Sequence, residues 1–210
     1  MRYAYRAGEH ADNARLHQAM LEGVPLIYLF GIDPGIYLPH WPVYVVDVDP
    51  PAREFVVSEL PLATAGAASE ERRRYAVRRV RTRLHQAGFR ARVLRAYAER
   101  CAMCRLGHAE LLDAAHIIGD AEEAGVTTTA NGLALCKLHH AAFDRHIVGV
   151  RPDLVLQVRR EILAEIDGPM LRHGLQELQG ARLLVLPRRP SDRPDRAPLE
   201  RRYERFRSAG

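Results

Sequence analysis

The chain has few cysteines and no long apolar segment. Its 210 residues include three cysteines, and three thiols cannot all pair with one another, so a disulfide-stabilised scaffold is excluded. The most apolar stretch, residues 23–46, contains four prolines and an aspartate, which argues against a membrane-spanning helix. Residues 1–10 show no apolar run after their charges, so a secretory signal is not predicted. We therefore expect a soluble protein of a reducing compartment, the cytoplasm, with no membrane partner.

Lysine is also scarce, and the positive charge is concentrated in one segment. Of the 31 basic residues, only Lys137 is a lysine, and the formal net charge is +5. Residues 72–98 contain ten arginines and no acidic residue, which predicts a polyanionic partner. A solvated basic helix face is the alternative interpretation. At helical spacing, three arginines share one face and are candidate phosphate contacts: Arg74, Arg78 and Arg81.

Changes in composition divide the chain into four segments. Residues 1–62 alternate helical and strand patterns and are expected to form a small α+β module rich in strands. Small, uncharged residues separate it from residues 69–100, for which we predict two arginine-rich helices with a break or kink at Gly88. Residues 101–150 are dense in cysteine and histidine motifs, and residues 151–210 form a C-terminal extension that ends in a charged helix. The predicted fold class is therefore α+β.

Two pairs of metal-binding residues have matching spacing. Cys101 and Cys104 form the first pair, and Cys136 and His139 form the second, each with two residues between its members. Zinc prefers four such ligands in a tetrahedron, and this spacing lets two side chains converge on one ion, so we predict a structural zinc site. His108 is an alternative fourth ligand. A redox-active Cys101–Cys104 pair, with Cys136 as a buried thiol, is the alternative to a metal site.

A second group of polar residues lies between these pairs and just after them. It consists of His116, Asn131, His140 and Asp144. His140 and Asp144 are four residues apart and share a helix face, whereas His139 and His140 point about 100° apart. One histidine can therefore bind zinc while its neighbour points elsewhere. Two ligands on a helix, opposite a strand histidine, can form a divalent-cation site with open positions, as a nuclease requires.

Residues 101–150 resemble the HNH nuclease motif of the ββα-metal fold, in the zinc-stabilised form found in many restriction endonucleases. The matching motifs are Cys-x-x-Cys, AAHII, NGLALC and HHAAFD. The resemblance implies that His116 is the general base, that Asn131 holds the loop or the histidine, and that His140 binds the catalytic metal with Asp144. It further implies a divalent-metal-dependent endonuclease of double-stranded DNA, with Mg²⁺ or Mn²⁺ for catalysis and structural Zn²⁺.

One position departs from the family pattern. Many members carry Asp or His directly before the base, and this chain has Ala115 there. The catalytic cation is then expected to have fewer protein ligands, with water and phosphate completing its shell. Asp113 is a candidate substitute ligand. Arg145, beside Asp144, is a candidate DNA contact, with an ordinary surface arginine as the alternative.

The flanking sequences resemble bacterial restriction-type HNH proteins as well. The resemblance rests on RRYAVRRVRTRLHQAGFRARVLRAYAERCAMC before the motif and DGPMLRHGLQ after it. In longer members the N-terminal part is taken to be a DNA-specificity module, so residues 1–62 are a candidate for that role. Within them, four aromatic residues either stack on a base or form the core of a small sheet: Tyr28, Tyr37, Trp41 and Tyr44.

Several functions remain open at this point. The main alternative to the endonuclease is a non-catalytic, zinc-containing DNA-binding protein on an HNH scaffold. An HNH enzyme with a homing, toxin or phage-packaging role is another, and a redox protein is a third. A homodimer is compatible with double-strand cleavage, which usually needs two active sites.

Overall fold

The computed structural model describes residues 2–5, 11–61, 70–119, 122 and 127–209. Side chains in the first part of the long helix, residues 70–81 and 84, are not among the described ones. Helices and strands are mixed throughout, as expected for the α+β class. Two compact units divide the chain, Met1–Gly88 and Phe89–Gly210. No helix in the described part of the chain is long and apolar enough to cross a membrane.

The first unit contains one antiparallel sheet and a helix. Its elements are β1 (Arg2–Ala4), α1 (Ala11–Glu22), β2 (Leu26–Asp33), β3 (Ile36–Asp49) and β4 (Glu54–Ser58). The strands pair in the order β1-β4-β3-β2. Gly35, in the turn between β2 and β3, has a φ of +73°, which glycine adopts without strain. The core of the unit lies on the sheet face against which Leu16 and Met20 of α1 pack, and it consists of Val43, Val45, Phe55 and Val57.

The other face of the β2–β3 hairpin is exposed. Side chains alternate between the two faces of a strand, so Tyr28 packs against the core while its neighbours Ile27 and Leu29 do not. Tyr37 and Trp41 also lie on the outer face, and each is 59% exposed. The interpretation of the aromatic residues as sheet core therefore fits Tyr28 and does not fit Tyr37 or Trp41.

A single helix, α2 (Glu70–Ala96), covers the arginine-rich segment. The prediction of separate helices broken at Gly88 is wrong. A glycine inside a helix costs only about 1 kcal/mol relative to alanine. Phe89 and Val93, in the turns that follow, are buried in the core of the second unit, which offsets that cost. The linker predicted at residues 60–68 lies outside the described residues from residue 62 onward, as do the side chains of Arg74, Arg78 and Arg81.

The second unit begins with a strand–strand–helix arrangement. β5 (Leu112–His116) pairs antiparallel with β6 (Gly132–Cys136), and α3 (Lys137–Asp144) follows β6 directly. Leu133, Ala134 and Leu135 of β6 are fully buried. The hairpin and α3 together carry Cys136 and the motif histidines, whereas Cys101 and Cys104 precede the hairpin.

The C-terminal extension packs around this arrangement. Its elements are β7 (Val148–Val150), β8 (Leu156–Val158), α4 (Arg160–Ala164), α5 (Pro169–Gly174) and α6 (Arg196–Ser208). β7 and β8 form a second hairpin, and α6 docks against β7. A Cβ atom at Gly149 would lie 2.6 Å from Cγ of Phe206, so the glycine is what permits this close approach. The last helix is therefore held tightly against the strand that follows α3.

Candidate metal centre and active site

Four side chains of the second unit converge on one point. The ligand atoms of Cys101, Cys104, Cys136 and His139 all lie within 4.8 Å of one another. Cys136 is the N-cap of α3 and His139 lies in its first turn, so the two-residue spacing brings both side chains to the same place. Cys104 is the one exposed member of the group. Among the described residues, no other group of three or more His, Cys, Asp or Glu side chains is as close.

The orientation of His139 suits metal binding. Its Nε2 lies 2.8 Å from the carbonyl oxygen of Gly174, to which it donates, and its Nδ1 lies 3.3 Å from Sγ of both Cys101 and Cys136. Nδ1 therefore faces the thiols. Metal-binding histidines are commonly fixed in this way by a carbonyl on the other ring nitrogen. The donor set and its closeness fit a tetrahedral zinc ion.

The pKa values of the cysteines and of His139 also bear on metal binding by the cluster. Hydrogen bonds from Cys101 and Cys104 lower the pKa of the Cys136 thiol far below its usual value, whereas a hydrogen bond with Cys101 raises the pKa of Cys104. Burial lowers the pKa of His139, but its hydrogen bonds with Cys101 and Cys136 outweigh burial and raise the pKa to about 10. Without a metal ion the cluster therefore favours a thiolate at Cys136 paired with a protonated His139. The thiolate is the form of cysteine that binds metals, and a bound metal would displace the Nδ1 proton of His139.

His108, the alternative fourth ligand, lies outside this cluster. Its side chain is 66% exposed, and its Nδ1 is 3.8 Å from the carboxylate of Glu110. Of the two histidines that the sequence allows, the structure therefore brings His139 to the cysteines.

His116 lies at the end of β5, opposite Gly132 of β6. Its ring stacks on Phe89 of α2, with the ring centroids 3.9 Å apart and the planes 11° from parallel. A Cβ atom at Gly132 would lie 2.5 Å from Val93 and 2.9 Å from the Phe89 ring. The place of the histidine is therefore set by a helix that precedes the motif and by a glycine on the partner strand.

Asn131 holds the backbone that follows His116. Its side-chain oxygen accepts a hydrogen bond from the Ile118 amide at 3.0 Å, and its side-chain nitrogen donates to the Ile118 carbonyl at 2.8 Å. Its own carbonyl accepts from the Ile117 amide at 2.9 Å. The side chain is buried. These bonds correspond to the loop-holding role, one of the two that the resemblance implies.

His140 lies between two carboxylates. Its Nε2 is 3.2 Å from Oδ2 of Asp144, and its Nδ1 is 3.6 Å from Oδ2 of Asp113. Asp113 also pairs with Lys137, and its other oxygen lies 3.6 Å from Arg90. Burial raises the pKa of Asp113, but the hydrogen bond from Lys137 and the nearby charges outweigh burial and lower it. Asp113 is thus a charged group that already has two basic partners.

Two arginines lie near the end of α3. Arg145, a predicted DNA contact, is exposed, and its Nη1 lies 3.4 Å from the Ala141 carbonyl. Arg202 of α6, which the motifs do not include, has Nη2 3.8 Å from Oδ1 of Asp144. A sequence signal for Arg202 does exist: it lies three residues after buried Leu199 and four before buried Phe206, on an otherwise apolar helix face.

Comparisons with known proteins bear on this segment. Residues 101–151 match a family model described as HNH endonuclease, which confirms the resemblance inferred from the motifs there. A solved structure, described as a "Modification dependent TagI restriction endonuclease", is 17% identical, covers 97% of this chain and 74% of its own, and has a TM-score of 0.43. A TM-score below 0.5 does not establish a shared fold. A comparison with curated proteins found no match.

Proposed function

We propose that this protein is a divalent-metal-dependent endonuclease that hydrolyses phosphodiester bonds in double-stranded DNA, with a restriction-type role. The observation that carries the proposal is the pair of His140 and Asp144, side by side on α3, within the hairpin-and-helix segment that matches the HNH endonuclease family. The restriction-type role rests on the resemblance of the flanking sequences. Reduced thiols at the metal cluster accord with a cytoplasmic protein.

The cysteine and histidine cluster would hold Zn²⁺. A zinc ion bound by four protein ligands supplies a structural cross-link and has no open position for substrate. Cys101 and Cys104 come before the β5–β6 hairpin, whereas Cys136 and His139 belong to the junction of β6 with α3. The cluster therefore ties the entry of the motif to the helix that carries His140 and Asp144.

His140 and Asp144 would hold the catalytic ion, Mg²⁺ or Mn²⁺. A cation bound there supplies positive charge that stabilises the charge developing on the phosphate and on the departing oxygen. Each nitrogen of the His140 ring faces one carboxylate. A cation bound at Nε2 would therefore lie next to Asp144. Asp113 would then accept the Nδ1 proton and orient the ring, as carboxylates behind metal-bound histidines do.

His116 would act as the general base. Its imidazole accepts a proton from a water molecule whose oxygen attacks phosphorus. The bond from phosphorus to the 3′ oxygen breaks, and that oxygen takes up a proton, leaving 5′-phosphate and 3′-hydroxyl ends. Stacking on Phe89 fixes the plane of the imidazole, and Asn131 fixes the backbone behind it.

DNA would be held mainly through its phosphates. The arginine-rich segment of residues 72–98 gives a concentrated positive charge that suits backbone contacts without sequence readout. The proposed contacts are Arg74, Arg78, Arg81 and Arg145. Residues 1–62 remain a candidate specificity module, and the exposed Tyr37 and Trp41 are its candidate base-stacking residues. Cleavage of both strands would be expected of a homodimer.

Replacement of the general base tests the proposal. In a supercoiled-plasmid assay with Mg²⁺ or Mn²⁺, His116→Ala should reduce cleavage by roughly 10²- to 10⁴-fold, the usual contribution of a general base. Zinc content and DNA affinity should stay near those of the unchanged protein, because His116 is neither a member of the cysteine and histidine cluster nor one of the proposed phosphate contacts. His108→Ala, which replaces an exposed histidine outside both sites, should cleave normally.

Three results would contradict the proposal. Full cleavage by His116→Ala would remove the assigned base. A protein that binds DNA and zinc but cleaves no plasmid with any divalent metal would instead support the non-catalytic DNA-binding alternative. Elemental analysis that finds no metal would favour the redox alternative.

A further inference from the structure

The last helix of the chain presents a charged side chain on its docking face. Leu199 and Phe206 of α6 are buried against the second unit. Arg202 lies between them at helical spacing, and its side chain is only 14% exposed. A buried guanidinium loses solvation and is tolerated only where other groups pair with it. Its partners therefore indicate what it does.

The side-chain contacts that Arg202 makes at short range are with the C-terminal end of α3, whereas Glu122, Arg205 and His146 act on it only through their charges. Its Nη2 donates a hydrogen bond to the carbonyl of Phe143 at 2.9 Å. The guanidinium also lies over the Phe143 ring, 4.5 Å from the centroid. The same Nη2 is 3.8 Å from Oδ1 of Asp144. One arginine thus contacts the residue before the proposed cation ligand and the ligand itself.

The two oxygens of Asp144 face different partners. Oδ1 faces Arg202, and Oδ2 lies 3.2 Å from Nε2 of His140. The positive charge of Arg202 attracts Oδ1 and so favours the orientation of the carboxylate in which Oδ2 faces His140. We propose that Arg202 is a positioning residue that aims Asp144 at the catalytic cation, an inference that rests on the proposed function.

The surroundings of α6 make Arg202 a rigid support. Phe206 packs directly on Gly149, where no larger residue would fit without displacing it. The hydroxyl of Tyr203 is hydrogen-bonded to the side chain of Gln157 on β8. With Leu199 buried one turn earlier, α6 is anchored both before and after Arg202. The C-terminal extension, which the family match does not cover, thereby completes the cation site.

The test measures binding of Mn²⁺ to the full-length, zinc-loaded protein, with free Mn²⁺ followed by electron paramagnetic resonance. Arg202→Met keeps an apolar stem but removes every donor. It should weaken Mn²⁺ binding by about 10- to 100-fold, the usual effect of losing an outer-shell partner. Zinc content should stay at one ion per chain. Arg202→Lys keeps the charge without the planar fork and should fall between the two proteins.

A matched control comes from the same helix. Arg205 is an exposed arginine that pairs with Glu122 through both nitrogens, at 2.8 and 2.6 Å. Arg205→Met removes the same charge from α6 but touches neither α3 nor Asp144. It should leave Mn²⁺ affinity within about twofold of the unchanged protein, since exposed ion pairs contribute little.

A double-mutant cycle separates positioning from general stabilisation. If Arg202 acts through Asp144, then Arg202→Met should add almost no further loss of Mn²⁺ affinity in an Asp144→Asn background. Additive losses would show that Arg202 only stabilises the fold and would overturn the inference. If Arg202→Met folds poorly, Arg202→Lys can replace it in the cycle.

The remaining outcomes are also distinct. If the unchanged protein binds Mn²⁺ and cleaves DNA, and Arg202→Met does both equally well, the positioning role is wrong and the endonuclease proposal stands. If the unchanged protein holds zinc but neither binds Mn²⁺ nor cleaves DNA, both proposals are wrong.

Discussion

Gly132, which has no side chain, determines where His116 lies. It faces His116 across the hairpin and leaves room for Val93 and Phe89 to approach the strand. Phe89 in turn supplies the surface on which the His116 ring stacks. The structure therefore explains both residues of the Asn131-Gly132 pair. Gly132 permits close packing, and Asn131 forms hydrogen bonds with the backbone.

Gly132→Ala should damage both stability and cleavage. The new methyl group would lie 2.5 Å from Val93 and 2.9 Å from the Phe89 ring, so the ring must shift and take the His116 contact with it. We expect a loss of about 1–3 kcal/mol in the free energy of unfolding, typical of overpacking. Urea unfolding and the plasmid assay measure the two effects.

Gly168→Ala is the control for this change. A Cβ atom there meets nothing within 4 Å, and its φ of −67° suits alanine. It should keep both stability and cleavage. If Gly132→Ala behaves like Gly168→Ala, the glycine does not set the position of His116.

The motif residues could be predicted from the sequence, but most of their partners could not. The order of His116, Asn131 and His140 is local and fixed by the family pattern. Phe89 and Arg202 lie far from these residues in the chain, and only tertiary packing brings them together. The sequence also left the role of Asp113 open, because spacing alone does not show which nitrogen of the His140 ring it faces.

At the scale of secondary-structure elements, long-range packing overrides local propensity. Gly88 predicts a helix break, yet α2 continues because the apolar residues after it are buried in the second core. The same holds for α6, whose apolar stripe is interrupted by an arginine that finds partners on α3. The local sequence pattern therefore predicts the presence of a helix well. It predicts the ends of the helix and its contacts less well.

The cysteine and histidine cluster, with zinc bound, would be the clearest cross-link between elements. Cys104→Ala should abolish zinc binding and lower the melting temperature by at least about 10 °C, since structural zinc contributes on the order of 10 kcal/mol to small domains. Cys104 is exposed, so this change removes a ligand without opening a cavity in the core. Elemental analysis and thermal unfolding by circular dichroism measure the two effects.

A control variant shows whether the effect is specific to the cluster. His108→Ala should retain one zinc ion per chain and the original melting temperature, because His108 lies outside the cluster. If Cys104→Ala also keeps its zinc and its stability, the cluster is not a structural zinc site.

At the scale of the whole molecule, the charge is strongly uneven. The formal net charge of +5 hides a segment, residues 72–98, with ten arginines and no acidic residue, so the remainder of the chain is net negative. An even basic surface would attract DNA over many orientations. A single basic segment instead favours fewer orientations of a bound duplex.

This distribution predicts how DNA affinity depends on salt. Each phosphate contact steepens the slope of log affinity against log salt by about 0.9 in duplex DNA. Replacement of Arg74, Arg78 and Arg81 by glutamine should therefore make the slope shallower by up to about 2.7. Fluorescence anisotropy with labelled duplex DNA, in EDTA to prevent cleavage, gives the slopes.

A control triple variant makes the same charge change at three exposed arginines outside the segment: Arg172, Arg188 and Arg189. Equal slopes for the two variants would mean that the arginine-rich segment is a solvated helix face and does not contact DNA.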